Sequence, residues 1–83
     1  MGSKDLINNL KERIDAQVEN YSSASKVNDA HIKLFEQGFA KGYISSINYV
    51  NAILKQNNVI SLDEFVELNE FIAENLDKIK EYE

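Results

Sequence analysis

Apolar residues recur every three to four positions along this chain, which is the spacing of residues on one face of an α-helix. The pattern predicts three helices, over residues of about 4–21, 26–56 and 62–82, in a single helical domain that spans residues 1–83. Each helix carries one apolar stripe, and on the third helix we expect that stripe to face the core. The first stripe is Ile7, Leu10, Ile14, Val18 and Tyr21, with Leu6 at its edge; the second is Ile32, Phe35, Phe39, Tyr43, Ile47, Val50 and Leu54; the third is Leu62, Phe65, Val66, Leu68, Ile72, Leu76 and Ile79, with Phe71 and Tyr82 at the boundary.

Short polar segments indicate where these helices begin and end. Ser3 is a suitable N-cap for the first helix, and the small hydroxyl residues in segment 22–25 favour its end. Residues 57–58, both asparagine, are expected to end the second helix, because asparagine tolerates the left-handed conformation after a helix. Ser61 followed three positions later by Glu64 predicts a capping box at the start of the third helix.

The predicted helices differ in length, so the fold class we expect is all-α, a three-helix hairpin or bundle with a long central helix. About 28 residues make the central helix roughly 42 Å long, against roughly 27 and 32 Å for its neighbours. Part of the central helix is therefore left uncovered, although it is apolar through both ends. Either it breaks in the middle, or a second chain covers the remainder.

Two glycines lie in the middle of the central helix, where each costs about 1 kcal/mol relative to alanine. Close approach of another helix to Gly38 and Gly42 explains them, and so does a break at Gly42. We expect a homodimer, because a small chain without disulfides or metals usually gains stability by association. The predicted dimer interface is Phe35, Gly38, Phe39, Gly42, Tyr43, Ile47 and Val50.

The 83 residues include no cysteine, no proline and a single histidine. Disulfides and thiolate metal sites are therefore excluded, and one histidine cannot build a multi-histidine site. His31 lies beside Asp29 and is expected at a helix boundary, because no Ser–His–Asp or Cys–His combination can be assembled around it. We expect no metal, no cofactor and no enzymatic activity.

Other common functions also lack the residues that they need. No segment approaches the roughly 20 apolar residues of a membrane span, and the N-terminus lacks a signal-peptide core, so we expect a cytoplasmic protein. A helix-turn-helix centred on Gly42 would have no cation in its recognition helix before Lys55, which argues against direct nucleic-acid binding. Residues 58–65 look like the second half of an EF-hand, but Ile53 and Lys55 would occupy two of its ligand positions.

The net charge of −5 is concentrated in the last third of the chain. Residues 59–83 hold eight acids and two lysines, whereas residues 1–58 hold six acids and seven bases. Six of the eight acids recur at steps of four and three, which places them on one face of the third helix. They form an acidic stripe of Asp63, Glu67, Glu70, Glu74, Asp77 and Glu81.

The acidic stripe has two interpretations. It is a solvated face that keeps a small oligomer soluble, or it is a surface that meets a basic groove. Six charges over about 27 Å imitate a run of phosphates, which favours a partner that itself binds nucleic acid. The residues expected to contact such a protein partner are Glu67, Glu70, Glu74, Asp77 and Glu81.

Residues 35–50, with the sequence FEQGFAKGYISSINYV, resemble helices in small acidic proteins encoded by phages and mobile elements of AT-rich bacteria. The resemblance implies a non-enzymatic accessory or inhibitory protein that is often dimeric. The function we expect is a protein–protein interaction module, a phage-type inhibitor or regulator of a nucleic-acid-processing host protein that acts through the acidic stripe. The alternative is a structural or assembly homo-oligomer that uses the apolar and aromatic face of the central helix.

Overall fold

A computed structural model describes residues 2–26 and 29–81 of the chain. They form three helices, α1 (Ser3–Ser25), α2 (Ala30–Gln56) and α3 (Leu62–Glu81), and each helix contacts the other two. The described residues contain no strand, so the predicted all-α bundle is confirmed. None of the described helices combines the length and the apolar character that are required to cross a bilayer.

The first turns of α1 and α3 lie side by side. The Ser3 hydroxyl donates to the carboxylate of Glu64, with distances of 2.8 and 3.0 Å to the two oxygens. This contact places α3 parallel to α1, and the connections through residues 26–29 and 57–61 make α2 antiparallel to both. The bundle is elongated, with extents of 44 × 18 × 17 Å.

The beginning of α1 differs from the prediction. Gly2, not Ser3, occupies the N-cap, and no side chain caps the helix there. Ser3 lies inside the first turn, where its hydroxyl donates a hydrogen bond to the carboxylate of Glu64 on α3. The predicted end of α1 near Tyr21 is also too early, because the helix continues to Ser25; serine costs only a few tenths of a kcal/mol in a helix, and segment 22–25 holds no stronger breaker.

The predicted start of α2 near residue 26 is too early as well. The N-cap is Asp29, whose carboxylate accepts hydrogen bonds from the backbone N–H groups of His31 at 2.9 Å and Ile32 at 3.3 Å. An aspartate in extended conformation satisfies two of the N–H groups that a helix start leaves without partners. The side chain of Asp29 therefore determines where α2 begins.

The turn between α2 and α3 has the predicted chemistry. Asn58 has a φ of 59°, and its N–H donates to the carbonyl of Lys55 at 3.1 Å. The N–H of Val59 donates to the carbonyl of Leu54 at 2.9 Å, which completes a Schellman motif. The capping box is confirmed: the N–H of Glu64 donates to the Ser61 hydroxyl at 3.1 Å, and the N–H of Ser61 donates to the Glu64 carboxylate at 2.9 Å.

The core is built from one stripe of each helix. On α1 the predicted stripe is confirmed in full. On α3 the stripe is narrower than predicted, because Leu62 and Val66 are exposed, and Tyr82 lies outside the described residues. The buried apolar side chains are Ile7, Leu10, Ile14, Val18, Tyr21, Ala40, Ile44, Ile47, Ile60, Leu68, Ile72 and Ile79, and Tyr43, Leu54, Phe65, Phe71 and Leu76 pack against them.

On α2 the predicted apolar face is only partly buried. The buried residues are Ala40, Ile44, Ile47 and Asn51, whereas four of the seven predicted members are exposed. Those exposed members are Ile32, Phe35, Phe39 and Val50. The prediction followed the largest side chains, but α2 has two apolar faces, and the face with smaller side chains is the one that enters the bundle.

The α2 helix is continuous through both interior glycines, which rules out the alternative of a break at Gly42. It has 27 residues against 20 in α3, which makes it about 10 Å longer. Because α3 begins level with the end of α2, the extra length lies at the N-terminal end of α2. No residue between positions 30 and 39 is buried.

The capping box gives a direct test of the α2–α3 turn. We expect Ser61→Ala to lower the free energy of unfolding by about 1 kcal/mol, because the N–H of Glu64 loses its acceptor. Urea denaturation at neutral pH measures the change. The matched control is Ser23→Ala, on the exposed side of α1, which should change stability by less than about 0.5 kcal/mol. Equal effects of the two substitutions would contradict the role of Ser61.

Candidate interaction surface

The α2 helix carries a second apolar stripe on the side that faces away from the core. Its members recur at alternating steps of three and four, as in the seam of a coiled coil. All of them are exposed to solvent. We call this set the outer stripe, and it consists of Ile32, Phe35, Phe39, Gly42, Ser46, Tyr49 and Ile53.

Large aromatic side chains account for most of the outer stripe. Phe35 and Tyr49 are each 69% exposed, and Phe39 is 51% exposed. The rings of Phe35 and Phe39 stack at a centroid distance of 6.5 Å, and Phe39 lies 6.3 Å from the ring of Tyr43. Ring pairs at these distances attract one another, so they form a ladder along one side of the helix.

The outer half of α2 carries no charged side chain. The helix has four charged residues, and at 3.6 residues per turn all of them fall on its flanks or on its core side. Those residues are Lys33, Glu36, Lys41 and Lys55. An exposed helix face in water normally carries the charges of the helix, so the distribution in α2 is the reverse of the usual one.

The two interior glycines open onto this same half of α2. A Cβ added to Gly38 or Gly42 would meet no other atom within 4 Å. Neither glycine is therefore required by close packing within the chain. Their combined cost of about 2 kcal/mol in helix propensity is not offset by any contact in the bundle.

The predicted dimer residues separate into two groups. Phe35, Gly38, Phe39, Gly42 and Val50 are exposed on the outer half of α2. Two others belong to the bundle, as shown by their burial: Ile47 is a core residue with 5% exposure, and Tyr43 is half-buried against the core. Within one chain the side chain of Ile47 is therefore not part of the surface that the outer half of α2 exposes.

The acidic stripe lies on the solvent side of α3. Asp63, Glu67, Glu70, Glu74 and Asp77 are all exposed, whereas the side chain of Glu81 is outside the described residues. Between the described side chains, one ion pair involves the stripe, from Lys11 on α1 to Glu67 at 3.4 Å. The remaining carboxylates face water.

A small polar cluster joins α1 to the first turns of α3. The Lys11 ammonium lies 5.4 Å from the ring centre of Phe71 as well as close to Glu67. The carboxylate of Glu64 accepts hydrogen bonds from the backbone N–H of Ser61 and from the Ser3 hydroxyl, and these bonds lower the pKa of Glu64. The cluster fixes the alignment of α1 with α3, and each of its members has a structural partner.

Two asparagines are buried in the core, although neither was among the predicted core residues. Asn51 donates from Nδ2 to the carbonyl of Phe65 on α3 at 3.1 Å, and Asn75 donates to the carbonyl of Phe71 at 2.8 Å. The Oδ1 atom of each has no hydrogen-bond partner. Asn51 lies four positions after Ile47, and Asn75 three after Ile72, so the core periodicity itself marked both positions.

The described residues contain no group of three His, Cys, Asp or Glu side chains placed to hold a metal ion. His31 is exposed in the first turn of α2, where its backbone N–H is bonded to Asp29. Comparisons of the chain with protein-family models, with curated proteins and with solved structures give no match.

The unpartnered oxygen of Asn75 predicts a stabilising substitution. Asn75→Leu should raise the free energy of unfolding by about 1 kcal/mol, because it removes a buried acceptor that lacks a donor and keeps the number and branching of the heavy atoms. Asn51→Leu is the matched comparison, and its free energy of unfolding should rise less, since the substitution also removes the hydrogen bond from α2 to α3. Urea denaturation compares the two variants. A loss of stability in Asn75→Leu would show that Oδ1 is hydrogen-bonded in solution.

Proposed function

We propose that this protein is a non-enzymatic protein–protein interaction module whose contact surface is the outer half of α2. The observation that carries the proposal is the exposed, uncharged outer stripe with its ladder of aromatic rings. Contiguous exposed apolar patches on soluble proteins mark interaction sites, and the centres of interfaces are rich in Tyr and Phe and poor in charges.

The cost of leaving this stripe in water supports the same conclusion. Phe35, Phe39 and Tyr49 each keep about 100 to 150 Å² of surface in solvent, taking 150–250 Å² as the area that a buried aromatic ring removes. At about 25 cal/mol per Å², covering the three rings is worth about 8 to 11 kcal/mol before the costs of association. A partner recovers this free energy, which the bundle alone does not.

The glycines fit the same surface. A helix that serves only the bundle gains from alanine at Gly38 and Gly42, where a methyl group would meet nothing. A helix that receives a partner gains from glycine, because the absence of Cβ lets the two backbones approach closely. The two glycines therefore support a contact that is made from outside the chain.

The acidic stripe supports a second candidate function. Its described carboxylates are exposed along the solvent side of α3, and Glu67 forms an ion pair with Lys11. In this candidate the stripe meets the basic groove of a nucleic-acid-processing protein, which the chain would inhibit or regulate by electrostatic complementarity. Such binding weakens steeply with salt, since the Debye length falls to about 3 Å at 1 M. An apolar contact through α2 survives the same salt.

Site-specific photocrosslinking separates the two surfaces. A photoreactive phenylalanine analogue placed at Phe35 or at Tyr49 should form covalent adducts with protein when living bacterial cells that express the variant are irradiated. The same analogue placed at Asp15, on the exposed side of α1, is the matched control and should form none. Adducts are detected by gel electrophoresis and identified by mass spectrometry.

The position of the adducts decides between the candidates. Adducts at Phe35 and Tyr49 with none at Glu74 support the α2 surface, whatever the identity of the captured protein. Adducts at Glu74 alone contradict it and support the acidic stripe, and they should disappear when a lysate is irradiated at 1 M salt. The absence of adducts at all three positions contradicts both candidates.

A further inference from the structure

We infer that the occupant of the outer stripe is a second copy of this chain, with the two α2 helices packed antiparallel about a two-fold axis level with Ile44. This inference rests on the proposed function, because it names the partner of the same surface. It is carried by three properties of the stripe: the order of large and small side chains along it, its area, and the position of the charges.

From Phe35 to Ile53, the outer stripe has the same order of side-chain sizes when it is read from either end. Gly42 and Ser46 are the small residues at its centre, and the large residues Phe39 and Tyr49 follow on either side. Beyond them lie Phe35 in one direction and Ile53 in the other. A stripe with this symmetry is complementary to an inverted copy of itself, which is the requirement of a two-fold interface.

An antiparallel pair with its axis level with Ile44 brings these positions together. Gly42 of one copy faces Ser46 of the other, so the two backbones approach most closely at the axis. On each side of this crossing Phe39 faces Tyr49, and farther out Phe35 faces Ile53. In these three pairs of positions, small residues meet small residues and large residues meet large ones.

Gly38 lies at the edge of the same interface, level with Val50 of the other copy, which is 39% exposed and just outside the outer stripe. A Cβ at Gly38 would meet no atom within 4 Å in one chain, so this edge offers no obstacle to a second helix.

The area of the stripe is sufficient for a stable dimer. The three aromatic rings expose about 100 to 150 Å² each, so they contribute about 600 to 900 Å² from the two copies together. The exposed parts of Ile32, Val50 and Ile53 add to this. The total passes the roughly 1,000 Å² that separates biological interfaces from incidental contacts.

The charges of the chain allow this association. Each copy has a net charge of −5, but the outer half of α2 carries none of it. The acidic stripe lies on the solvent side of α3, which points in a different direction from the outer half of α2. Pairing through α2 therefore desolvates no charge at the centre of the interface and leaves the acidic stripes in water.

Engineered cysteines test the partner and the direction together, since the chain has no cysteine of its own. Ile32 and Gln56 face one another across the proposed interface and lie at opposite ends of α2. We expect a mixture of purified Ile32→Cys and Gln56→Cys chains to form a mixed disulfide dimer under mild oxidation. Neither variant should form a covalent dimer when it is oxidised alone. A mixture of Asp15→Cys with Gln56→Cys is the control and should stay uncrosslinked.

Sedimentation equilibrium of the unmodified chain accompanies the oxidation experiment. A mass of two chains together with the mixed disulfide supports the inference. Covalent dimers of a single variant indicate parallel helices and overturn it, as does a mass of two chains without any disulfide. A mass of one chain at 100 µM also overturns it; in that case adducts to another protein at Phe35 would leave the proposed function intact.

Discussion

The structure depends on one constraint: α2 has more apolar side chains than a three-helix bundle can bury. One stripe, centred on Ala40, Ile44 and Ile47, enters the core with α1 and α3. The other stripe points the opposite way and is left in solvent. A helix can turn only one face toward two neighbours, so the bundle buries one apolar face of α2 and leaves the outer stripe exposed.

Several unusual features of the chain follow from this constraint. The extra length of α2 extends the uncovered surface past the end of α3. The interior glycines leave two positions near the centre of that surface without side chains. The charges of α2 lie on its flanks, while the acidity of the protein is carried by α3. Each feature is costly or indifferent for a single chain and favourable for a chain that associates through α2.

The sequence predicted the elements whose signals are local. The stripe of α1, the capping box at Ser61 and the left-handed Asn58 all follow from spacing and from single-residue conformational preferences, and the structure has each of them. The core face of α2 could not be predicted in this way, because periodicity does not distinguish two apolar faces of one helix. Only the packing of α1 and α3 selects between them, and it selects the face with Ala40 and Asn51, whose side chains are small or polar.

Sedimentation equilibrium of the unmodified chain beside Gly42→Ala tests the central claim most directly. Glycine at this position lowers the stability of a single helix, but it favours the close packing of two. Alanine favours the isolated helix by about 1 kcal/mol. At the crossing point of two helices it inserts a methyl group where the backbones meet. We predict a mass of two chains for the unmodified protein and a dissociation constant at least about fivefold higher for Gly42→Ala, since overpacking typically costs 1–3 kcal/mol. A mass of one chain for both proteins, or equal dissociation constants, would contradict the account.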